Sequence, residues 1–155
     1  AMRISVIGGS RVDSEGYESA HELGRLLAER GYTVVCGGYG GVMEAVCRGA
    51  READGETIGI LGGETLSEGN EYLTTPIATD MGDARNALVV LNGEACIAVE
   101  GAAGTLSELA MAVLYDRPVA GLETHDIGSL GLETARFQAV ESPLAAVDHV
   151  EAALR

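Results

Sequence analysis

Lysine is missing from this chain. All ten basic residues are arginine, set against 24 acidic ones, for a net charge of −14 over 155 residues. That absence removes two phosphate chemistries. A Walker-type loop needs its lysine at the β- and γ-phosphates, and a pyridoxal phosphate enzyme needs one for its Schiff base. A nucleic-acid surface needs clustered positive charge, which this composition does not supply, so no nucleic-acid partner is expected. An acid excess without lysine also hints at a halophilic setting, where salt screens charge repulsion within a few ångströms.

Other residue types are scarce. There is no Trp, one Phe (Phe137) and five Tyr, so the core must be aliphatic and alanine-rich. The three cysteines, Cys36, Cys47 and Cys96, are odd in number and show no zinc spacing. They read as small buried hydrophobes in a reducing cytoplasm, and no metal site is expected. His21, His125 and His149 have no partner pattern. Ser10 lacks the G-x-S-x-G surroundings of a hydrolase nucleophile. The longest apolar runs are far too short for a membrane span, and no signal peptide is evident, so the chain reads as cytoplasmic with no membrane partner.

Glycine, by contrast, is abundant, with 22 residues, and it falls at strand ends. The run Tyr32-Thr33-Val34-Val35-Cys36 reads as a buried strand, followed by Gly37-Gly38-Tyr39-Gly40-Gly41 and then a helix through Val42, Met43, Glu44, Ala45 and Val46. Such a turn takes positive φ and admits close approach of a ligand. The helix start adds free N–H groups and the positive end of the dipole. Together they form an anion site, most often for phosphate. The same pattern occurs twice more: Arg3–Ile7 runs into Gly8-Gly9-Ser10, and Ala95–Val99 runs into Gly101, Gly104 and Thr105.

Further strands are expected at 57–61, 118–122 and 137–140, with a short extended piece at 72–79 interrupted by Pro76. Helices are expected from a Ser14 cap to about Arg30, to about Ala53, after an Asp83 cap, over 106–116, and from a Ser142 cap with Leu144, Val147, Val150 and Leu154 inward. Residues 123–136 give no clear pattern. Alternating strands and helices predict one Rossmann-like domain over 1–155, a doubly wound parallel sheet with helices on both faces. The three glycine turns then share the carboxyl edge of the sheet, where ligands bind. None matches the dinucleotide fingerprint, so no NAD site follows. The helix at 106–116 has no polar face, and a second subunit over it and over 86–92 predicts a homodimer or higher homo-oligomer.

Two side chains at that edge can do chemistry. Arg85 opens a helix, where a cation works against the dipole and a local anion gives it a motive; a surface ion pair with Asp83 or Glu94 is the alternative. Glu108 follows the third turn. Its spacing in Thr105-Leu106-Ser107-Glu108 also fits a capping box, with Thr105 as cap and Glu108 reaching back.

These residues carry a family resemblance. In order, 37–45, then Asp83-Ala84-Arg85-Asn86-Ala87, then Gly101-Ala102-Ala103-Gly104-Thr105-Leu106-Ser107-Glu108 resemble the Lonely Guy-like superfamily, also labelled lysine decarboxylase-like. The likeness spans roughly residues 2–122. It implies a nucleoside 5′-monophosphate phosphoribohydrolase that splits the N-glycosidic bond with no cofactor required. Arg85 and Glu108 would be catalytic, and Gly8, Gly9, Ser10, Gly37, Gly38, Tyr39, Gly40, Gly41, Met43, Glu44, Asn86, Gly101, Gly104 and Thr105 would bind the ligand. The chain departs from the family at Glu100, in place of Pro, at Asn86, in place of Lys, and by one residue inserted between Met81 and Arg85. In this it is closer to a short branch that includes molybdenum cofactor carriers. The resemblance to that branch implies the alternative, a non-catalytic carrier or sensor of a phosphorylated pterin.

Overall fold

The computed structural model describes residues 2–130 and 136–155. Short runs of β-branched and aliphatic residues form seven strands: β1 (Arg3–Gly8), β2 (Thr33–Cys36), β3 (Thr57–Leu61), β4 (Thr75–Ala78), β5 (Ala95–Val99), β6 (Val119–Leu122) and β7 (Phe137–Val140). Every pairing is parallel, in the order β4-β3-β2-β1-β5-β6-β7. Five helices connect them: α1 (Ser14–Glu29), α2 (Val42–Glu52), α3 (Asn86–Leu91), α4 (Ala103–Leu114) and α5 (Pro143–Ala153). The doubly wound parallel sheet is therefore present. Pro76 does not interrupt its strand. It pairs opposite Gly59 on edge strand β4, where a missing N–H costs no internal ladder bond.

Period-two alternation decides which helices cover which face. Ala95, Ile97 and Val99 of β5 pack with residues of α1, α2 and α5, whereas Cys96 and Ala98 pack with residues of α3 and α4. The sheet is thus buried on both sides, as a parallel sheet requires. Strand order reverses between β1 and β5: the chain winds from β1 out to β4, then returns to β5 and winds out to β7. A crevice opens at such a reversal, beyond the carboxyl ends of the two strands. The glycine turns after Gly8 and Val99 meet there.

Several helix boundaries differ from the sequence reading. Asp13, not Ser14, caps α1, accepting a 2.8 Å hydrogen bond from the Gly16 amide. Two good capping residues stand side by side, and the chain uses the first. Asp83 caps nothing; it lies within a 3-10 turn, Gly82–Arg85, that runs directly into α3. In α5 Ser142 does cap, accepting from the Ala145 amide at 3.1 Å, but Leu144 is exposed and Ala146 is buried instead. Of the unpatterned stretch 123–136, a 3-10 turn spans Ile127–Leu130 and residues 131–135 lie outside the described residues.

The tightest packing lies between α1 and α2. Gly24 faces the backbone of Val46 and Ala50, and Gly49 faces the backbone of His21 and Arg25. Either methyl group would collide with main chain, which cannot rotate away. Gly24→Ala and Gly49→Ala should each destabilise the protein by about 1–3 kcal/mol, the usual effect of overpacking. Guanidinium unfolding with an unchanged slope would measure this; wild-type stability in both would show that the helices can part freely.

Candidate functional site

The crevice holds a cavity of about 190 Å³ walled by all three glycine turns. Gly8, Gly9 and Ser10 come from the end of β1, Gly37 and Met43 from the β2–α2 connection, and Gly104, Thr105 and Glu108 from α4. Arg85 and Asn86 close it from the start of α3, with the exposed Asp83 beside them. Ten of the sequence-predicted site residues thus converge. Gly38, Tyr39, Gly40, Gly41, Glu44 and Gly101 do not line this cavity, and several of them serve its walls. Gly41, at φ 62°, packs against the Gly9 and Ser10 backbone, and the next amide, Val42 N, donates to Gly9 O at 3.0 Å.

The open donors belong to α4. This helix starts at Ala103, with Ala102 as an N-cap that has no side-chain bond. Its first outward-capping bond runs from Leu106 N to Ala102 O at 3.0 Å, leaving the amides of Ala103, Gly104 and Thr105 before it without a helical acceptor. The early start overturns the capping-box expectation. Thr105 is the third helical residue rather than the cap, and Glu108 lies too far along to reach back. The helix can begin this early because Gly101 takes φ 103°, turning the chain directly after β5.

Arg85 faces these amides from across the cavity. Its guanidinium lies over the Tyr39 ring, 5.3 Å from the centroid. Gly37 is the contact beneath it, and any side chain there would strike the guanidinium. Tyr39 is itself pinned, its hydroxyl accepting from Gly62 N at 2.9 Å and Gly63 N at 3.3 Å. The Arg85 Nε is fully buried and has no hydrogen-bond partner. No carboxylate lies within ion-pair distance of Arg85 among the described residues, so the ion-pair alternative fails. A buried donor left open costs about 1–3 kcal/mol; an anion in the cavity would meet the rest of the guanidinium, which lines it.

Glu108 is only 7% exposed. Burial pushes its carboxyl up to about 8, an effect that Arg85 partly opposes. At neutral pH it is therefore a neutral acid with a proton to donate. Asn86 Nδ2 donates to Ser107 Oγ at 3.3 Å, and Ser107 Oγ donates to Gly104 O at 2.6 Å, tying α3 to the start of α4.

A second cavity, about 570 Å³, shares the Gly9, Ser10 and Ala102 wall and is lined by Arg11, Asp13, Glu100 and Glu123. Burial, then the charges of Asp13, Glu123 and Glu15, push the Glu100 carboxyl up. Sequence reasoning missed this acidic chamber because Asp13, Glu100 and Glu123 are far apart along the chain. It also missed Tyr39 as the platform for Arg85. Among the described residues, no group of three His, Cys, Asp or Glu is placed to hold a metal, and no helix is long and apolar enough to cross a membrane.

Comparison with known proteins adds to this geometry. The family model described as the SLOG cluster4 family matches residues 1–153. A protein of Archaeoglobus fulgidus is 42% identical over 122 residues, covering 79% of this chain and 80% of its own. The molybdenum cofactor binding protein of Rippkaea orientalis is similar in structure, with a TM-score of 0.92 and 31% identity over 99% of this chain and 98% of its own. The molybdenum cofactor carrier protein of Chlamydomonas reinhardtii gives a TM-score of 0.90 and 29% identity, covering 99% of each chain.

The raised Glu108 carboxyl has a measurable consequence. Between an ordinary glutamate value and about 8, the folded protein holds a proton that the unfolded chain has lost. Stability from this group therefore falls as pH rises through that window, by on the order of 1.4 kcal/mol per pH unit. Glu108→Gln should flatten the decline and stabilise the protein at pH 8 relative to wild type. Denaturant midpoints at pH 5, 6.5 and 8 would measure it; parallel curves for the two proteins would contradict the burial assigned to Glu108.

Proposed function

The chain belongs to the SLOG cluster4 family, and on that premise we propose that it binds and carries a phosphate-bearing small molecule, a phosphorylated pterin such as the molybdenum cofactor, without turning it over. Glu108 carries this reading. Held protonated to about pH 8, its carboxyl can donate to a bound phosphate. It lacks the negative charge that would stabilise the cation developing in glycosidic cleavage. The relatives named for molybdenum cofactor binding and carriage support the same ligand class.

The charges orient the ligand. Phosphate sits between the α4 amides, the Thr105 hydroxyl and Arg85, the part of the crevice whose donors lack partners. The remainder extends over Gly9, Ser10 and Ala102 into the acidic chamber. There Asp13, Glu100 and Glu123 accept from N–H groups of the kind a pterin's aminopyrimidinone edge presents. The chamber's three carboxylates repel phosphate more than the one, Asp83, that lines the cavity beside Arg85, so the reverse orientation is disfavoured.

The second reading is the nucleoside 5′-monophosphate phosphoribohydrolase. It is favoured by Arg85 and Glu108 lining one cavity, with Glu108 as the carboxylate beside the ribose and Arg85 at the phosphate or leaving base. It makes an opposite demand on pH, since the carboxylate forms only above about 8. In the carrier reading, AMP, GMP, CMP and UMP stay intact on chromatography after incubation at pH 7 and pH 9. Calorimetry detects binding of a phosphorylated pterin, weakened roughly tenfold or more by Arg85→Ala, as expected for loss of a charged hydrogen bond. Free base above the no-protein control, rising from pH 7 to 9 and lost in Glu108→Gln, would overturn the carrier in favour of the hydrolase.

A second copy of the chain belongs to this proposal. Leu91 of α3 and Leu106 and Leu114 of α4 are 46%, 36% and 72% exposed. α3 carries no charge after Arg85, and the one charged residue of α4, Glu108, points inward. For two chains each at −14, this face offers approach without like-charge contact. Light scattering in molar KCl should give at least a dimer, and Leu114→Glu should yield monomers; a wild-type monomer under those conditions would contradict the assembly. A cytoplasmic site of action fits the free thiols of all three cysteines.

A further inference from the structure

Two of the three cysteines form a pair that neither reading of function uses. Cys36 is the last residue of β2, and Cys47 lies midway along α2. Both are fully buried, and their sulfurs are 3.5 Å apart. Cys96 packs on the opposite face of the sheet, in the other hydrophobic cluster. We propose that Cys36 and Cys47 are a site of reversible disulfide formation, and that closing the bond deforms the wall of the ligand cavity at Gly37.

The coupling follows from what can move. A disulfide is about 2.05 Å long, so the sulfurs must approach by about 1.5 Å. α2 cannot slide to supply this, because Gly24 and Gly49 lock it against the backbone of α1. Cys36 ends its strand: Val35 before it pairs with both β1 and β3, whereas Cys36 pairs with Gly59 of β3 alone. The approach therefore draws on Cys36 itself, and with it the five loop residues that follow, Gly37 to Gly41, four of which are glycine. That loop touches the site at its first residue: Gly37 lines the cavity and lies beneath the Arg85 guanidinium. Asn70 braces the loop, its amide donating to Gly38 O at 2.8 Å and its Nδ2 to Tyr39 O at 2.9 Å. Shifting Gly37 and Tyr39 therefore shifts Arg85 off its platform.

The chemistry balances with a low-molecular-weight disulfide as oxidant. One cysteine thiolate attacks it, forming a mixed disulfide and releasing one thiol. The second cysteine thiolate then attacks its partner's sulfur and releases the other thiol. The cysteines lose two electrons and two protons, and the two released thiols carry them. The Cys36 contact and burial hold the Cys47 thiol well above its usual range, so the closed protein reacts slowly and the step runs through opening of the loop. Because the disulfide would lower anion affinity, a bound anion should oppose oxidation by the same coupling. The anion arm rests on the phosphate reading of the cavity; the disulfide does not.

The test uses the intact protein, reduced and then exposed to oxidised glutathione, with and without sulfate. After alkylation, trypsin releases the segment between Arg30 and Arg48, which contains both cysteines in one peptide. That peptide should be lighter by two hydrogens and unalkylated, with Cys96 alkylated separately. Hydrogen exchange should change at residues 37–41, sulfate affinity should fall roughly tenfold, and dithiothreitol should reverse both. Sulfate should slow the oxidation. Cys47→Ala should bind sulfate like reduced wild type and ignore the oxidant. Alkylation at both Cys36 and Cys47 after prolonged oxidation, or a bond to Cys96, would overturn the proposed site. A Cys36–Cys47 bond that alters neither exchange nor affinity would overturn the coupling. If the reduced protein binds no sulfate, the phosphate reading fails, while peptide mass and hydrogen exchange still decide the dithiol.

Discussion

Arg85 is a half-buried charge left without a counter-charge in ion-pair contact among the described residues, and the crevice is built around that fact. Its Nε has no partner, its guanidinium rests on Tyr39, and Gly37 is bare so that it fits. A chain with 24 acidic residues has no shortage of carboxylates to pair with it. Five of its other arginines do form ion pairs with them. Two carboxyl groups do line the cavity: Asp83, exposed and not in ion-pair contact with Arg85, and Glu108, which burial drives towards its neutral form. A cation, a neutral acid and the unfilled amides of α4 thus face one space, and an anion from outside satisfies all three.

The rest of the fold holds this arrangement still. Reversal of strand order between β1 and β5 places the crevice. Close α1–α2 packing fixes the helix behind the β2–α2 loop, and the Asn86–Ser107–Gly104 hydrogen bonds join α3 to α4. In the proposed reading the acidic chamber next door would give the site direction, since a phosphate would be repelled from Glu100 and drawn towards Arg85. In that reading Glu100, which the family resemblance marks as a departure, would set the orientation of the ligand.

The sequence was informative where the physics is local. Runs such as Val34-Val35-Cys36 and Ala95–Val99, ended by glycine, announce buried parallel strands, and the three glycine turns mark their carboxyl ends. Ser142-Pro143 announced the start of α5 correctly. It was misleading where a local signal competes with tertiary geometry. Thr105-x-x-Glu108 has capping-box spacing, yet positive φ at Gly101 starts α4 two residues before Thr105, and the same glutamate becomes a buried acid. Asp83 looks like a cap, but a 3-10 turn already satisfies that helix start. The platform role of Tyr39, the acidic chamber and the Cys36–Cys47 contact were invisible, because each joins residues that only folding brings together. Arg85 and Glu108 were both singled out from the sequence, but the raised carboxyl depends on burial, which no spacing encodes.

The claim that an anion and a protonated Glu108 share one cavity can be measured directly by titrating the protein with sulfate at pH 8 in buffers of different ionisation enthalpy. Sulfate itself does not titrate there, so any proton exchanged comes from the protein. Binding of a dianion beside a carboxyl poised at about 8 raises it further and should draw in about half a proton per site. Glu108→Gln should bind sulfate without that uptake. Sulfate binding with no proton uptake in wild type, or with the same uptake in Glu108→Gln, would contradict the account.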